Sequence, residues 1–277
     1  MLRSSIRNLQ TKLFKSLNED LNKKIFVKCF NEKNFLNYGC QVVNDFISED
    51  QASFISDLSN SVLEMHNKNN EPLDINRASK GQSFLDKRSR IYYSKIKKRY
   101  LGIDYGMIDI FNPINKNLFS KNQFEEYDLI QNKILNQLDN CLKKFNLSLR
   151  WKNFYLYKDI CWPRPLHVDT NYIQIKVFLP CADVLDLRQG PYAYVPCSHK
   201  WQYLHRLNQK YNQFFYSDLG IDNYDSTFFS SSLAIPLFAN KRSIIITMQN
   251  GIHGDLVAET GYGKNIFVWA FHPSNLF

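Results

Sequence analysis

Two short stretches of this chain carry residue types and spacings that suit a metal ion. The first is Arg164-Pro165-Leu166-His167-Val168-Asp169-Thr170. In extended backbone, side chains two positions apart leave the same face, so His167 and Asp169 would point together. An imidazole beside a carboxylate supplies two of the three ligands of a facial iron site. On its own the triplet also reads as a solvated turn. The second stretch is Gln249-Asn250-Gly251-Ile252-His253-Gly254-Asp255, where the glycines keep the backbone around His253 uncrowded. His253 lies 84 residues after Asp169, far enough to arrive from another strand as a third ligand. His66 falls in a helical stretch, His272 nearly ends the chain, and His199 and His205 lie in an insertion, so each reads as structural or surface. Lys264, eleven residues after His253, opens the last strand. It reads either as a cation close to the metal or as an ordinary turn lysine.

The elements that must position these groups change character along the chain. Residues 5–22 place Ile6, Leu9, Leu13 and Leu17 on one face. Residues 49–66, with Ser48 as N-cap, gather Phe54, Ile55, Leu58, Val62 and Met65. Residues 123–146 align Tyr127, Ile130, Ile134, Leu138, Cys141 and Leu142. These spacings predict three helices. After Arg150 come short β-branched and aromatic runs, Phe154–Tyr157, Ile173–Leu179, Tyr192–Val195, Ser243–Met248 and Asn265–Phe271, bounded by Pro, Gly or Asn. They read as strands. Residues 200–240 form a mixed insertion that opens with a helix over Lys200–Tyr211. Helices first and strands second predict an α+β chain with an antiparallel sandwich or jelly roll in the second half and helices outside it. The expectation is one domain over 1–277, with 1–150 as mostly helical support and pocket wall and 151–277 as the core.

Composition narrows the function classes. A chain of 277 residues can bury a core without staples. A hydrophobic share of 44% excludes wholesale disorder, and no apolar run reaches the length of a membrane span. The six cysteines form no C-x-x-C pair, so they read as reduced thiols of a cytoplasmic protein. The opening residues 1–18 hold no acid, as in an organellar transit peptide or a basic amphipathic helix. The net charge of +9 is local: +5 falls in residues 1–30 and +8 in residues 77–100, while the half from Trp151 onward carries +2. In 77–100, Arg88, Arg90, Lys95, Lys97 and Arg99 alternate with Tyr92 and Tyr93. That pattern fits a nucleic-acid surface, a solvated basic face, or a pocket rim that attracts an anionic substrate.

Taken together, these pieces resemble the phytanoyl-CoA dioxygenase-like family of Fe(II)/2-oxoglutarate-dependent oxygenases. The resemblance is carried by His167-x-Asp169, by Ile173-Gln174-Ile175-Lys176-Val177-Phe178-Leu179, by Gly190-Pro191-Tyr192-Ala193-Tyr194-Val195-Pro196-Cys197-Ser198-His199-Lys200, and by His253 with a cation eleven residues on. It covers roughly residues 150–271. It implies a double-stranded β-helix (jelly roll, cupin-like) core with N-terminal and flanking helices. It implies that His167, Asp169 and His253 bind Fe(II), that 2-oxoglutarate and O2 are cosubstrates, and that Lys264 meets the far carboxylate of 2-oxoglutarate where the family usually has arginine. Gln174 and Asn153 fall near the family's polar cosubstrate contacts. Cys197 stands where the family usually has glycine, and Asp255 stands where a hydroxyl often helps bind the cosubstrate, so an acid there repels a dicarboxylate unless it pairs with Lys264 or points away. Asp169 retains the carboxylate that related halogenases lack, which implies hydroxylation or another oxidation of a C–H bond in a small-molecule substrate, anionic if the basic segment borders the pocket. Nucleic acid is not the expected partner. A non-catalytic binding module on the same fold is the alternative that Asp255 motivates.

Overall fold

The computed structural model describes residues 18–68, 90–93, 107–111, 113–114, 119–158, 166–216, 225–256, 258–259 and 262–275. Most of the predicted helix over 5–22 and most of the basic segment 77–100 lie outside the described residues.

The first half contains helices α1 (Asn18–Ile25), α2 (Glu32–Tyr38), α3 (Glu49–Lys68) and α4 (Lys121–Lys144). Among them run strands β1 (Phe26–Val27), β2 (Cys40–Val43), β3 (Arg90–Tyr93) and β4 (Met107–Phe111). The second half adds β5 (Leu147–Lys158), β6 (Ile175–Pro180), β7 (Tyr192–Tyr194), helix α5 (Gln202–Tyr216), β8 (Ile235–Pro236), β9 (Ile244–Met248), β10 (His253–Asp255) and β11 (Gly263–Pro273). The strands make an eight-stranded sheet in the order β1-β2-β9-β6-β11-β5-β4-β3 and a three-stranded sheet in the order β10-β7-β8.

Strand β11 shows how the layers form. Its Phe267, Trp269 and Phe271 join Ile55, Leu58 and Val62 of α3 and Tyr127, Ile130, Ile134 and Leu138 of α4 in the outer core. Its Ile266 and Val268 face the other way and pack with Tyr192, Tyr194 and Leu237 at the small sheet. Side chains alternate across a strand, so the large sheet carries α3 and α4 on one face and the small sheet, together with Leu21 and Ile25 of α1, on the other. Helix α4 starts at a capping box of Ser120 and Gln123, and its stripe of Tyr127, Ile130, Ile134, Leu138, Cys141 and Leu142 is buried as its spacing predicts. Tyr127 stacks on Trp269, ring centroids 5.5 Å apart at 22°. Such a pair contributes about 0.5–1.5 kcal/mol beyond its buried area.

The first half, expected to be mostly helical, also supplies strands at both edges of the large sheet. Cys40-Gln41-Val42-Val43 is too short to show a strand period, and its order comes from antiparallel pairing with β9. The insertion helix runs Gln202–Tyr216 rather than Lys200–Tyr211, because residues 198–200 form a 3-10 turn first. Leu204, Leu207 and Tyr211 of α5 pack on a third cluster that holds Val168, Ile252, Phe228 and Phe229.

The turn before α5 is tied to α2. The Cys197 amide donates to the Tyr38 carbonyl at 2.8 Å, and His199 Nε2 bonds the Leu36 carbonyl at 3.0 Å. Cys197 adopts φ 66°, the left-handed region that glycine occupies without strain, which gives a physical reason for the glycine usual at this turn. Burial pushes the His199 imidazole down to about 4 from its ordinary 6.5, against the Leu36 carbonyl, which raises it. The unfolded chain therefore takes up this proton first as pH falls, and stability tied to His199 is complete above about pH 6.5 and lost toward pH 4. Urea unfolding of the wild type at pH 4.5 should show about 2–3 kcal/mol less stability from this residue than at pH 7. His199→Gln should lose less over the same interval, and an equal loss would remove His199 as a cause.

Candidate metal centre

Backbone pairing brings the two metal-type stretches together. The His167 amide donates to the His253 carbonyl at 2.8 Å, and the His253 amide returns a bond to the His167 carbonyl at 2.9 Å. The Asp169 amide donates to the Gln249 carbonyl at 2.9 Å. From the other side, His167 bridges to Asp225, whose carbonyl accepts from both Asn208 and Asn212 of α5 at 2.7 Å. The insertion helix thus clamps the His167 segment, a role that its sequence did not signal.

The side chains then converge. Nε2 of His167 lies 3.3 Å, and Nε2 of His253 lies 3.6 Å, from the same Oδ1 of Asp169. One ligand atom from each of His167, Asp169 and His253 falls within 4.8 Å of the others. Both imidazoles are buried. His253 Nδ1 lies 2.9 Å from the Gly251 carbonyl, a contact that requires the proton on Nδ1 and leaves the Nε2 lone pair facing the carboxylate. A Cβ on Gly251 would sit 1.9 Å from the Tyr194 hydroxyl, so glycine is required for the close packing behind this turn. Two nitrogen lone pairs and one carboxylate oxygen on one side of a small space fit a divalent transition metal and leave its other positions open.

The second oxygen of Asp169 is held separately. Lys176 Nζ donates to Oδ2 at 2.6 Å. Burial raises the Asp169 carboxyl, but the Lys176 ammonium leads the causes that oppose it, and the group is held well below the usual carboxylate range. Sequence reading missed Lys176. Its signal was a lone charge inside an apolar strand, Ile175-Lys176-Val177-Phe178-Leu179, on the parity of Gln174.

The structure places the remaining predicted residues as follows. Lys264 is buried and donates to Asp255 Oδ1 and to the Gly190 carbonyl. Gln174 donates to Nε2 of His272 at 2.7 Å. Asn153 lies in β5 directly opposite Val268, so it shares the face turned toward the small sheet. Tyr192 stands opposite Asp255, the partner of Lys264, across the small sheet, and its ring stacks on His253 with centroids 5.7 Å apart. Its hydroxyl accepts from Gln249 Nε2 at 3.2 Å, and that nitrogen also bonds Thr247 Oγ1 at 2.6 Å. Burial first, then the charges of Asp169 and Asp255, push the Tyr192 hydroxyl well up, against the Gln249 and Thr247 bonds. Histidines 199, 205 and 272 are each committed to structural bonds elsewhere.

Among the described residues, no helix is long and apolar enough to cross a membrane, and Cys29, Cys40, Cys141, Cys181 and Cys197 are free thiols.

No family model matches the chain, and no curated protein matches it. Solved structures do. HygX from Streptomyces hygroscopicus, with nickel and 2-oxoglutarate bound, superposes with a TM-score of 0.52 at 11% identity, covering 89% of this chain and 88% of its own. EvdO2 from Micromonospora carbonacea var. aurantiaca, complexed with 2-oxoglutarate, gives 0.51 at 12%, covering 87% and 90%. SnoK, a non-heme alpha-ketoglutarate-dependent carbocyclase from nogalamycin biosynthesis, gives 0.56 at 10%, covering 86% and 81%. The likeness is one of fold along nearly the whole chain.

Proposed function

We propose that this chain is a non-haem Fe(II)/2-oxoglutarate-dependent oxygenase of the phytanoyl-CoA dioxygenase-like kind, built on a double-stranded β-helix, that oxidises an unactivated C–H bond of a small molecule. The observation that carries the reading is the convergence of His167, Asp169 and His253 on one space, with both Nε2 atoms turned to one carboxylate oxygen. The fold shared with three 2-oxoglutarate-type proteins supports it.

In this reading His167, Asp169 and His253 hold the iron. Bound there, ferrous iron with 2-oxoglutarate and O2 supplies the oxidising power, as the 2-oxo acid is converted to succinate and CO2. His253 keeps its proton on Nδ1 through Gly251 and so offers a neutral donor atom. Lys176 engages Oδ2 of Asp169 and leaves Oδ1 to the metal. Lys264 is the cation for the far carboxylate of the cosubstrate, and Tyr192, which stacks on His253, is held by Gln249, which also bonds Thr247. Gln174 and Asn153 are inner-face polar groups of the same space. Phe178, Val268 and Ile266 pack with Tyr192 in one buried apolar cluster.

The retained Asp169 favours hydroxylation over halogenation, and SnoK shows that a carbocyclase also occurs on this fold. The pairing of Lys264 with Asp255 favours one second reading, a non-catalytic binding module. Succinate formation separates the two. With ferrous iron, 2-oxoglutarate, O2 and a panel of small metabolites that includes anionic ones, the oxygenase releases succinate above the iron-free control. A chain that binds iron but releases none under any condition is the binding module.

A further inference from the structure

The far end of the proposed cosubstrate site carries its own counter-charge. Strand β10 places His253 and Asp255 two residues apart, opposite Tyr194 and Tyr192 of β7. Both side chains therefore leave the same face. Asp255 does not turn away from the site: its Oδ1 accepts from the Lys264 ammonium, which also donates to the Gly190 carbonyl. The side chains are 4% exposed for Lys264 and 17% for Asp255, so solvent screens the pair poorly. The next carboxylate along the inner face, Asp169, is matched in the same way by Lys176. Among the described residues, each of these two carboxylates thus faces an ammonium, and within each pair the charges cancel.

We propose that Asp255 is a specificity residue for the cosubstrate: by neutralising Lys264 it lowers the affinity for a 2-oxo dicarboxylate relative to a 2-oxo acid of equal length with an uncharged far end. The inference rests on the reading of the metal centre and Lys264 as the two anchors of the cosubstrate. A far carboxylate entering this site meets one cation already engaged by an acid and leaves a net negative charge in a poorly solvated space. The cost is Coulombic and falls on the far carboxylate alone. A 2-oxo monocarboxylate avoids it, because the Lys264–Asp255 pair stays intact beside its apolar end. The acid thus reduces the charge preference that an unpaired lysine would impose.

The test is a binding measurement. Iron-loaded protein is titrated under anaerobic conditions with 2-oxoglutarate and with 2-oxopentanoate, and the visible charge-transfer band of the metal-bound 2-oxo acid is followed. Asp255→Asn keeps the shape of the side chain and an acceptor for Lys264 while removing the charge. It should bind 2-oxoglutarate about tenfold more tightly than the wild type or better, and 2-oxopentanoate within about threefold of it. Asp255→Ser is the second variant, and iron uptake reports that each protein is folded. An unchanged or weaker affinity for 2-oxoglutarate in both variants overturns the role of Asp255, as does an equal gain for both acids. If iron is taken up but neither acid gives the band in any protein, the cosubstrate reading itself fails and takes this proposal with it.

Discussion

His253→Ala should leave a folded chain that takes up ferrous iron at least about a hundredfold more weakly and forms no succinate above background. Loss of a residue that merely supports a metal ligand costs 10- to 100-fold in affinity, and loss of a ligand should exceed that. The substitution is clean for a structural reason. The bonds that zip His253 to His167 are main-chain bonds, at 2.8 and 2.9 Å, and alanine keeps them. What disappears is the ring, its Nδ1 bond to Gly251 and its Nε2, one of three donor atoms around the space. Isothermal titration with ferrous iron under anaerobic conditions reads the affinity, and circular dichroism checks the fold. His205→Ala is the matched control, since His205 is also buried but its Nε2 bonds the Ser198 carbonyl. Wild-type iron affinity in His253→Ala would place the metal elsewhere, and an equal loss in His205→Ala would assign the effect to packing.

The residues around this centre were legible to different degrees. The helix stripes of α3 and α4 and the strands β5, β6, β7, β9 and β11 stood out because local periodicity and composition report burial directly. His167 and Asp169 could be paired from spacing alone, since two positions apart in extended backbone is a local property. That His253 lies beside them is a long-range fact, set by backbone pairing across the chain, and a resemblance to a family pointed to it where periodicity could not. Strands β1 and β2 were invisible because two to four residues carry no period, and their order comes from the neighbouring strand. The Asn208 and Asn212 clamp on Asp225 was equally hidden: two asparagines one helical turn apart look like any polar face until the acceptor is known. The net charge of +9 had little to say about the inner face, where Lys176 meets Asp169 and Lys264 meets Asp255.

Lys176→Met should destabilise the metal-free chain by about 3 kcal/mol and the metal-loaded chain by much less. Lys176 Nζ lies 2.6 Å from Oδ2 of Asp169, and both side chains are mostly buried, at 16% and 20% exposed. Methionine fills similar volume but leaves the carboxylate without its strongest cationic partner, and breaking one side of a buried pair typically costs 3–5 kcal/mol. For 277 residues, at about 2.1 cal/mol/K of unfolding entropy per residue, the melting temperature should fall by roughly 5 °C. A divalent ion on Oδ1 supplies the missing positive charge, so the penalty shrinks when the site is loaded. Linkage then fixes the sign of the effect on binding: a substitution that costs more stability without metal than with it must tighten metal binding by the same difference. Lys176 is thereby a stand-in cation that keeps Asp169 ionised and in place before the metal arrives and opposes the metal once it is there. Thermal unfolding of both proteins with and without saturating nickel measures all four corners of this cycle. An equal penalty in the two states would mean that Lys176 acts on packing alone, and weaker metal binding in Lys176→Met would mean that orientation of the carboxylate outweighs its charge.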